Sequence, residues 1–192
     1  MDKILLLRPF IKMISEGKFF ALFFSWVLRI QAALMVLGFL YGSFQMWSMM
    51  RGSATFGLFI GLVIGQLLFA VLAFVLINIL LVRADDINNL PLSTDYFVMP
   101  IIVIFVKMTG EIIGVFYAIM GIILGFGIWI MGGSGVVPSI PGMGMFAGNS
   151  GFLGGLIAIV GGPVLGFLLL SLFYFIGEQI GALVDIARNT KR

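Results

Sequence analysis

Four long apolar runs, separated by short polar or glycine-rich segments, set the organisation of this chain. They extend from about Phe19 to Met50, Phe56 to Val82, Phe97 to Met131 and Phe152 to Gly177. Each is longer than the roughly 20 residues that cross a 30 Å hydrocarbon core as a helix. The pattern predicts an all-α polytopic membrane protein, with four transmembrane helices arranged as two hairpins. The connections are Arg51 to Thr55, Arg83 to Tyr96 and the long Gly132 to Gly151.

Composition agrees with this reading. The chain is 61% hydrophobic and only 10% charged, whereas about a quarter of a soluble globular chain is charged. No polar segment is long enough to build a separate soluble domain, so residues 1–192 read as a single membrane domain. The N-terminal MDKILLLRPFIKMISEGK lacks the h-region of a secretory signal and reads as a basic, partly amphipathic segment on the inner face.

The basic residues predict orientation. Lys3, Arg8, Lys12 and Lys18 precede the first run, Arg83 follows the second, and Arg188, Lys191 and Arg192 end the chain. Only Arg51 lies on the other side. By the positive-inside rule both termini are expected in the cytoplasm. The net charge of +3 suits anionic lipid beside the spans and does not suggest nucleic acid.

Several charges fall inside the apolar runs, among them Lys107 and Glu111 in "FVKMTGEIIG". As a helix, the third run would be about 52 Å long, more than one bilayer core. Counting about 20 residues inward from Trp129, an interfacial type of residue, reaches Gly110. The same count from Trp47 reaches Leu28, next to Arg29. Arg29, Arg83, Lys107, Glu111 and Glu178 are therefore expected to form an interfacial charge belt at one level, on the side of the termini. Anchoring at the water boundary costs little; the competing reading is a polar pathway within the bilayer. Two apolar preambles remain, FFALFFSWVL and FVMPIIVIFV. They are expected either as short interfacial helices or as inward extensions of the spans that need an apolar partner.

The two halves, 19–90 and 97–190, share a plan of aromatic preamble, basic residue, uncharged span, outer loop, returning span and polar exit. The exits read "DINN" and "DIARN". A parallel internal repeat or only the common grammar of membrane hairpins would give this pattern. The tail LFYFIGEQIGALVDIARNTKR, with Glu178, Ile186 and Asn189, resembles the C-terminal signature of a bacterial membrane family of unknown function numbered 4282. The aromatic lead from Phe19 to Phe24 is similar to that family's start. The resemblance implies a bacterial inner membrane and carries no biochemical activity. This chain departs from the family in having four spans rather than two, and in lacking the arginine usual before the glutamate.

Glycine spacing suggests how the helices meet. Small-residue pairs occur at Gly38/Gly42, Gly57/Gly61/Gly65, Gly110/Gly114, Gly121/Gly125, Gly162/Gly166 and Gly177/Gly181. Such rows let backbones approach closely, which matters where lipid removes the hydrophobic drive for association. Packing within one bundle and self-association both use them. Gln66 and Asn78 are each expected to hydrogen-bond across helices, and Glu178 to reach Arg29 or Lys107. The adjacent Asp85 and Asp86 read as part of a cytoplasmic turn. The uncharged segment Gly132 to Gly155 contains no P-loop and reads as a packed outer loop or a re-entrant one.

Catalytic chemistry has little to stand on. The chain has no histidine and no cysteine, and Ser134 and Ser171 have no base nearby in sequence. No cofactor or metal is expected. The function expected is that of a non-enzymatic scaffold or accessory subunit, associated with membrane lipids and with copies of itself or another membrane protein through Gly-rich faces. The alternative is a channel or small-solute transporter with its pore between subunits.

Overall fold

The computed structural model describes residues 17–48, 56–90, 98–131 and 151–190. These form four helices: α1 (Lys18–Ser48), α2 (Phe56–Asn88), α3 (Val98–Met131) and α4 (Phe152–Thr190), with no strand among the described residues. At 1.5 Å per residue they are about 46 to 58 Å long, and all four are long and apolar enough to span a membrane. The protein is an integral membrane protein of the four-helix, all-α class. The N-terminal segment and most of the outer loop expected from Gly132 to Gly155 lie outside the described residues.

The first helix begins at Gly17, whose φ of 74° is open to glycine and strained for other residues. Its carbonyl accepts the Ala21 N–H at 3.2 Å. Gly151, with φ of 98°, starts α4 in the same way. The first preamble, and the second from Val98 on, continue α1 and α3 without a break, the second of the two arrangements open from sequence. Their apolar sides cover one another: Phe24 meets Phe105 edge-on at 5.3 Å. Ala21, Leu28, Ala32, Leu80, Ala84, Ile87, Ile101 and Met108 form one buried cluster across α1, α2 and α3. With the buried Ser25, the α1 positions Ala21, Leu28 and Ala32 recur every three or four residues, which places them on one helical face.

The second hairpin packs differently. α3 and α4 meet backbone to backbone along their glycine rows, the closest approach in the bundle. A Cβ added to Gly121 would lie 2.6 Å from Gly162 Cα and 2.7 Å from the Ala158 carbonyl oxygen. One on Gly114 would lie 2.9 Å from the Gly166 carbonyl. Gly125 faces Ile159 and the Gly155 carbonyl in the same seam. Hydrogen in place of a methyl group is what permits this separation. Where α3 ends and α4 begins, Trp129 stacks on Phe152 with centroids 5.3 Å apart, and its Nε1 donates to the Phe152 carbonyl at 3.0 Å.

The first hairpin uses side chains as spacers. A Cβ added to Gly42 would lie 3.1 Å from the Phe69 ring and one on Gly65 3.3 Å from Met46 Cε, while Gly61 faces Ile130 of α3. Gly38 and Gly57 have open space where a Cβ would stand. Gln66 donates to the Ser43 hydroxyl at 2.8 Å, tying α2 to α1. Asn78 departs from expectation: it donates to the Phe74 carbonyl of its own helix at 2.7 Å. Its position is exposed.

Candidate functional site

Asp85 and Asp86 were expected in a turn, but α2 runs on through both to Asn88. Two things keep that last stretch helical. Ala84 and Ile87 are fully buried against the neighbouring helices, and each aspartate has a cationic partner. Successive helical residues diverge by about 100°, so the two adjacent carboxylates serve different neighbours.

Asp85 turns to α1, where its Oδ1 accepts from Arg29 Nη2 at 2.8 Å. Arg29 also lies 5.9 Å from the Trp26 ring centroid. This pair is well exposed, with side-chain accessibilities of 39% and 65%. Asp86 turns the other way and accepts from Arg83 Nη1 at 2.7 Å, one turn along α2.

Arg83 is the centre of the site. Its Nε donates to Glu111 Oε2 at 3.0 Å, and its Nη2 donates to Glu111 Oε1. This is the two-pronged geometry in which guanidinium and carboxylate bind most strongly. Nη2 also donates to the Tyr174 hydroxyl oxygen at 3.1 Å, and that hydroxyl donates in turn to Glu111 Oε1. The Arg83 and Glu111 side chains are 19% and 16% accessible, so most of their surface is out of solvent. Lys107 rests its ammonium 5.1 Å from the Tyr174 ring centroid. Its stem passes Gly177, where a Cβ would come within 3.1 Å of Lys107 Cγ.

Two polar clusters, Arg29 with Asp85 and Arg83 with Asp86, Glu111, Tyr174 and Lys107, stand within one turn of each other on α2 and together involve all four helices. Arg29, Arg83 and Lys107 are balanced by Asp85, Asp86 and Glu111, so the two clusters together are neutral. Only Arg83 and Glu111 are mostly out of solvent, and they cancel each other, the arrangement an apolar surrounding tolerates.

Four of the five residues expected in the charge belt belong to these two clusters: Arg29, Arg83, Lys107 and Glu111. Glu178 does not. It is exposed and has no ion pair among the described residues. The bridge expected from it to Arg29 or Lys107 is replaced by Asp85 on Arg29 and by the Tyr174 ring under Lys107. Lys107 and Glu111 stand one turn apart on α3, and Glu111 is held by Arg83 across the helices.

Sequence reasoning missed Asp85, Asp86 and Tyr174 as members. The glycine rows held a signal for Tyr174. Once Gly121 is set against Gly162 in antiparallel helices, the ten residues to Glu111 and the twelve to Tyr174 end at nearly the same height.

Of the glycines expected to pack helices, Gly121, Gly125, Gly162 and Gly166 lie in the α3–α4 seam, and Gly42, Gly61 and Gly65 face side chains of neighbouring helices. Gly38 and Gly57 face none. Among the described residues no three acidic side chains converge as a metal site. A cavity of about 190 Å³ separates the N-terminal half of α2 from the C-terminal half of α3, lined by Gly61, Leu68, Ile123, Phe126 and other apolar residues. Compared with known proteins, the chain matches no family model, no curated sequence and no solved structure.

Proposed function

We propose that this protein is a non-enzymatic membrane scaffold or accessory subunit, embedded with both termini on the cytoplasmic side of a bacterial inner membrane. The ionic clusters mark the inner water boundary. The observation that carries this reading is where the cations go. Arg29, Arg83 and Lys107 are each engaged with another side chain, and Arg29 and Arg83 form ion pairs between helices. A conducting pathway needs ionisable groups turned to a wet cavity, whereas this arrangement locks helices together.

The exposed glutamate at position 178 supports the boundary placement, since it follows Tyr174 by a single helical turn. An unpaired carboxylate is cheap in water and costly in hydrocarbon. The distance from Glu111 to Trp129, eighteen residues along α3, is about 27 Å. That is close to the thickness of a bilayer core of roughly 30 Å.

Assembly would use the outer half of α1. Its buried residues all lie between Ala21 and Ala32. Beyond them Leu34, Leu37, Leu40, Tyr41 and Phe44 are exposed around the open Gly38. Native mass spectrometry of the detergent-extracted chain tests the reading. An oligomer, or a co-extracted membrane partner, that is lost on Gly38→Leu while the protomer stays folded is the expected result. A clean monomer that conducts ions in liposomes would overturn it and favour the channel alternative.

A further inference from the structure

The face of α2 turned away from the bundle carries an unmatched amide. From Gly61 to Leu81 five residues are exposed: Leu67, Val71, Phe74, Asn78 and Leu81. They are separated by steps of four, three, four and three. Leu72, Leu76, Leu80, Ala84 and Ile87 of the same helix are buried, on the side where α2 packs on α1 and α3. At about 100° per residue the two sets are centred roughly 160° apart.

Four of the five exposed residues are apolar and suit lipid. Asn78 does not. It lies in the uncharged run from Phe56 to Val82, and five residues along α2 from Arg83 is about 7.5 Å. One Nδ2 hydrogen goes to the Phe74 carbonyl at 2.7 Å; the other, and Oδ1, have no partner among the described residues. Hydrocarbon offers such groups nothing. The unmatched half of the amide has one donor and one acceptor, so it is complementary to itself.

Copies of one chain inserted in the same sense are related by an axis along the membrane normal, which sets Asn78 of one copy at the depth of Asn78 in another. A lipid tail brings neither donor nor acceptor to that depth. The stripe also has the order of a parallel two-stranded seam. With Val71 and Asn78 at the a positions of a heptad, Leu67, Phe74 and Leu81 take d. A β-branched residue at a with leucine at d favours pairs, and a single asparagine at a fixes their register. The next a position is Asp85, an exposed carboxylate held by Arg29, so the seam ends at Leu81.

We propose that α2 pairs with α2 of a second copy along Leu67, Val71, Phe74 and Leu81, with the two Asn78 amides exchanging hydrogen bonds. This names a partner for the scaffold reading but uses a different helix from the α1 face around Gly38 and does not depend on that face.

The chain has no cysteine, so a single introduced thiol reports one position. Val71→Cys, Phe74→Cys and Leu81→Cys are compared with Leu168→Cys, an exposed site on α4. Each full chain is placed in phospholipid vesicles at low density and oxidised with copper phenanthroline, and disulfide dimers are counted. Only facing positions bring the Cα atoms within disulfide reach, so the three α2 variants are expected to dimerise and Leu168→Cys is not. Adding Asn78→Val, a change at an exposed position, should weaken dimer formation by Val71→Cys about three- to tenfold, the loss expected for hydrogen bonding between helices in lipid. Asn78→Gln, which keeps an amide, should retain most of it.

Equal dimer yield from Leu168→Cys, no dimer from the three α2 variants, or a yield indifferent to Asn78→Val would each overturn the pair. Gly38→Leu separates this failure from that of the α1 assembly. Dimers of Val71→Cys that persist with Gly38→Leu support the α2 pair by itself, and dimers lost there overturn it. Absence of α2 dimers beside an oligomer that still depends on Gly38 overturns the α2 pair and leaves the scaffold reading standing.

Discussion

Removing Arg83 is expected to harm the fold more than removing Glu111, and the difference follows from what each leaves behind. In Arg83→Met the Glu111 carboxylate loses both guanidinium bonds and keeps only the Tyr174 hydroxyl. In Glu111→Met the guanidinium still has Asp86 at 2.7 Å. Breaking one partner of a fully buried ion pair costs about 3–5 kcal/mol. Accessibilities of 19% and 16% allow some screening, so the lower part of that range applies. We expect about 3 kcal/mol for Arg83→Met and about 2 kcal/mol for Glu111→Met, because Asp86 retains part of the compensation.

The double variant tests the reasoning. With both charges replaced by methionine, no orphaned ion faces the other, and the loss should fall to about 1 kcal/mol or less. The coupling energy between the two positions is then about 4 kcal/mol, far outside the additivity of independent sites. Reversible unfolding in mixed micelles, followed by far-UV circular dichroism, measures all four corners of the cycle. Single variants within about 0.5 kcal/mol of the parent, or a double variant equal to the sum of the singles, would refute an interhelical lock at this point.

Three further outcomes are expected. Gly121→Leu drives a side chain into the Gly162 backbone and should cost about 3 kcal/mol or more, whereas Gly38→Leu enters open space and should shift protomer stability by less than about 0.5 kcal/mol; thermal midpoints in detergent compare the two. Asp85→Asn loosens an exposed pair with Arg29 and should change stability by no more than about 1 kcal/mol, with the loss fading at high salt. Gln66→Leu removes the bond to Ser43 between α1 and α2 and should cost about 0.6 kcal/mol, near the average for polar contacts between helices in lipid; the same unfolding assay reads it.

The family resemblance of the tail, around Glu178, Ile186 and Asn189, concerns residues on the last part of α4, outside the ionic clusters. The Arg83 cluster joins α2, α3 and α4 through Arg83, Glu111 and Tyr174, residues from both halves of the chain. Whether the halves arose by duplication or not, they are packed differently: glycine against glycine in the second hairpin, and glycine against phenylalanine or methionine in the first.

The sequence by itself determined the four long helices, because hydropathy sums along a segment and lipid admits few other backbone arrangements. Counting residues along each helix also led to the expectation that Arg29, Arg83, Lys107, Glu111 and Glu178 share one level, since rise per residue is a property of one helix alone. Only the tertiary structure decided which of these charges meet. That choice depends on the angle each side chain makes about its helix and on which neighbour stands there, so that Asp85 and Asp86 answer to different helices. It decided, too, that the Gly121 and Gly162 rows are consumed inside the bundle while Gly38 stays open. A row of small residues sets how near a helix can come, and says nothing of which helix takes the place.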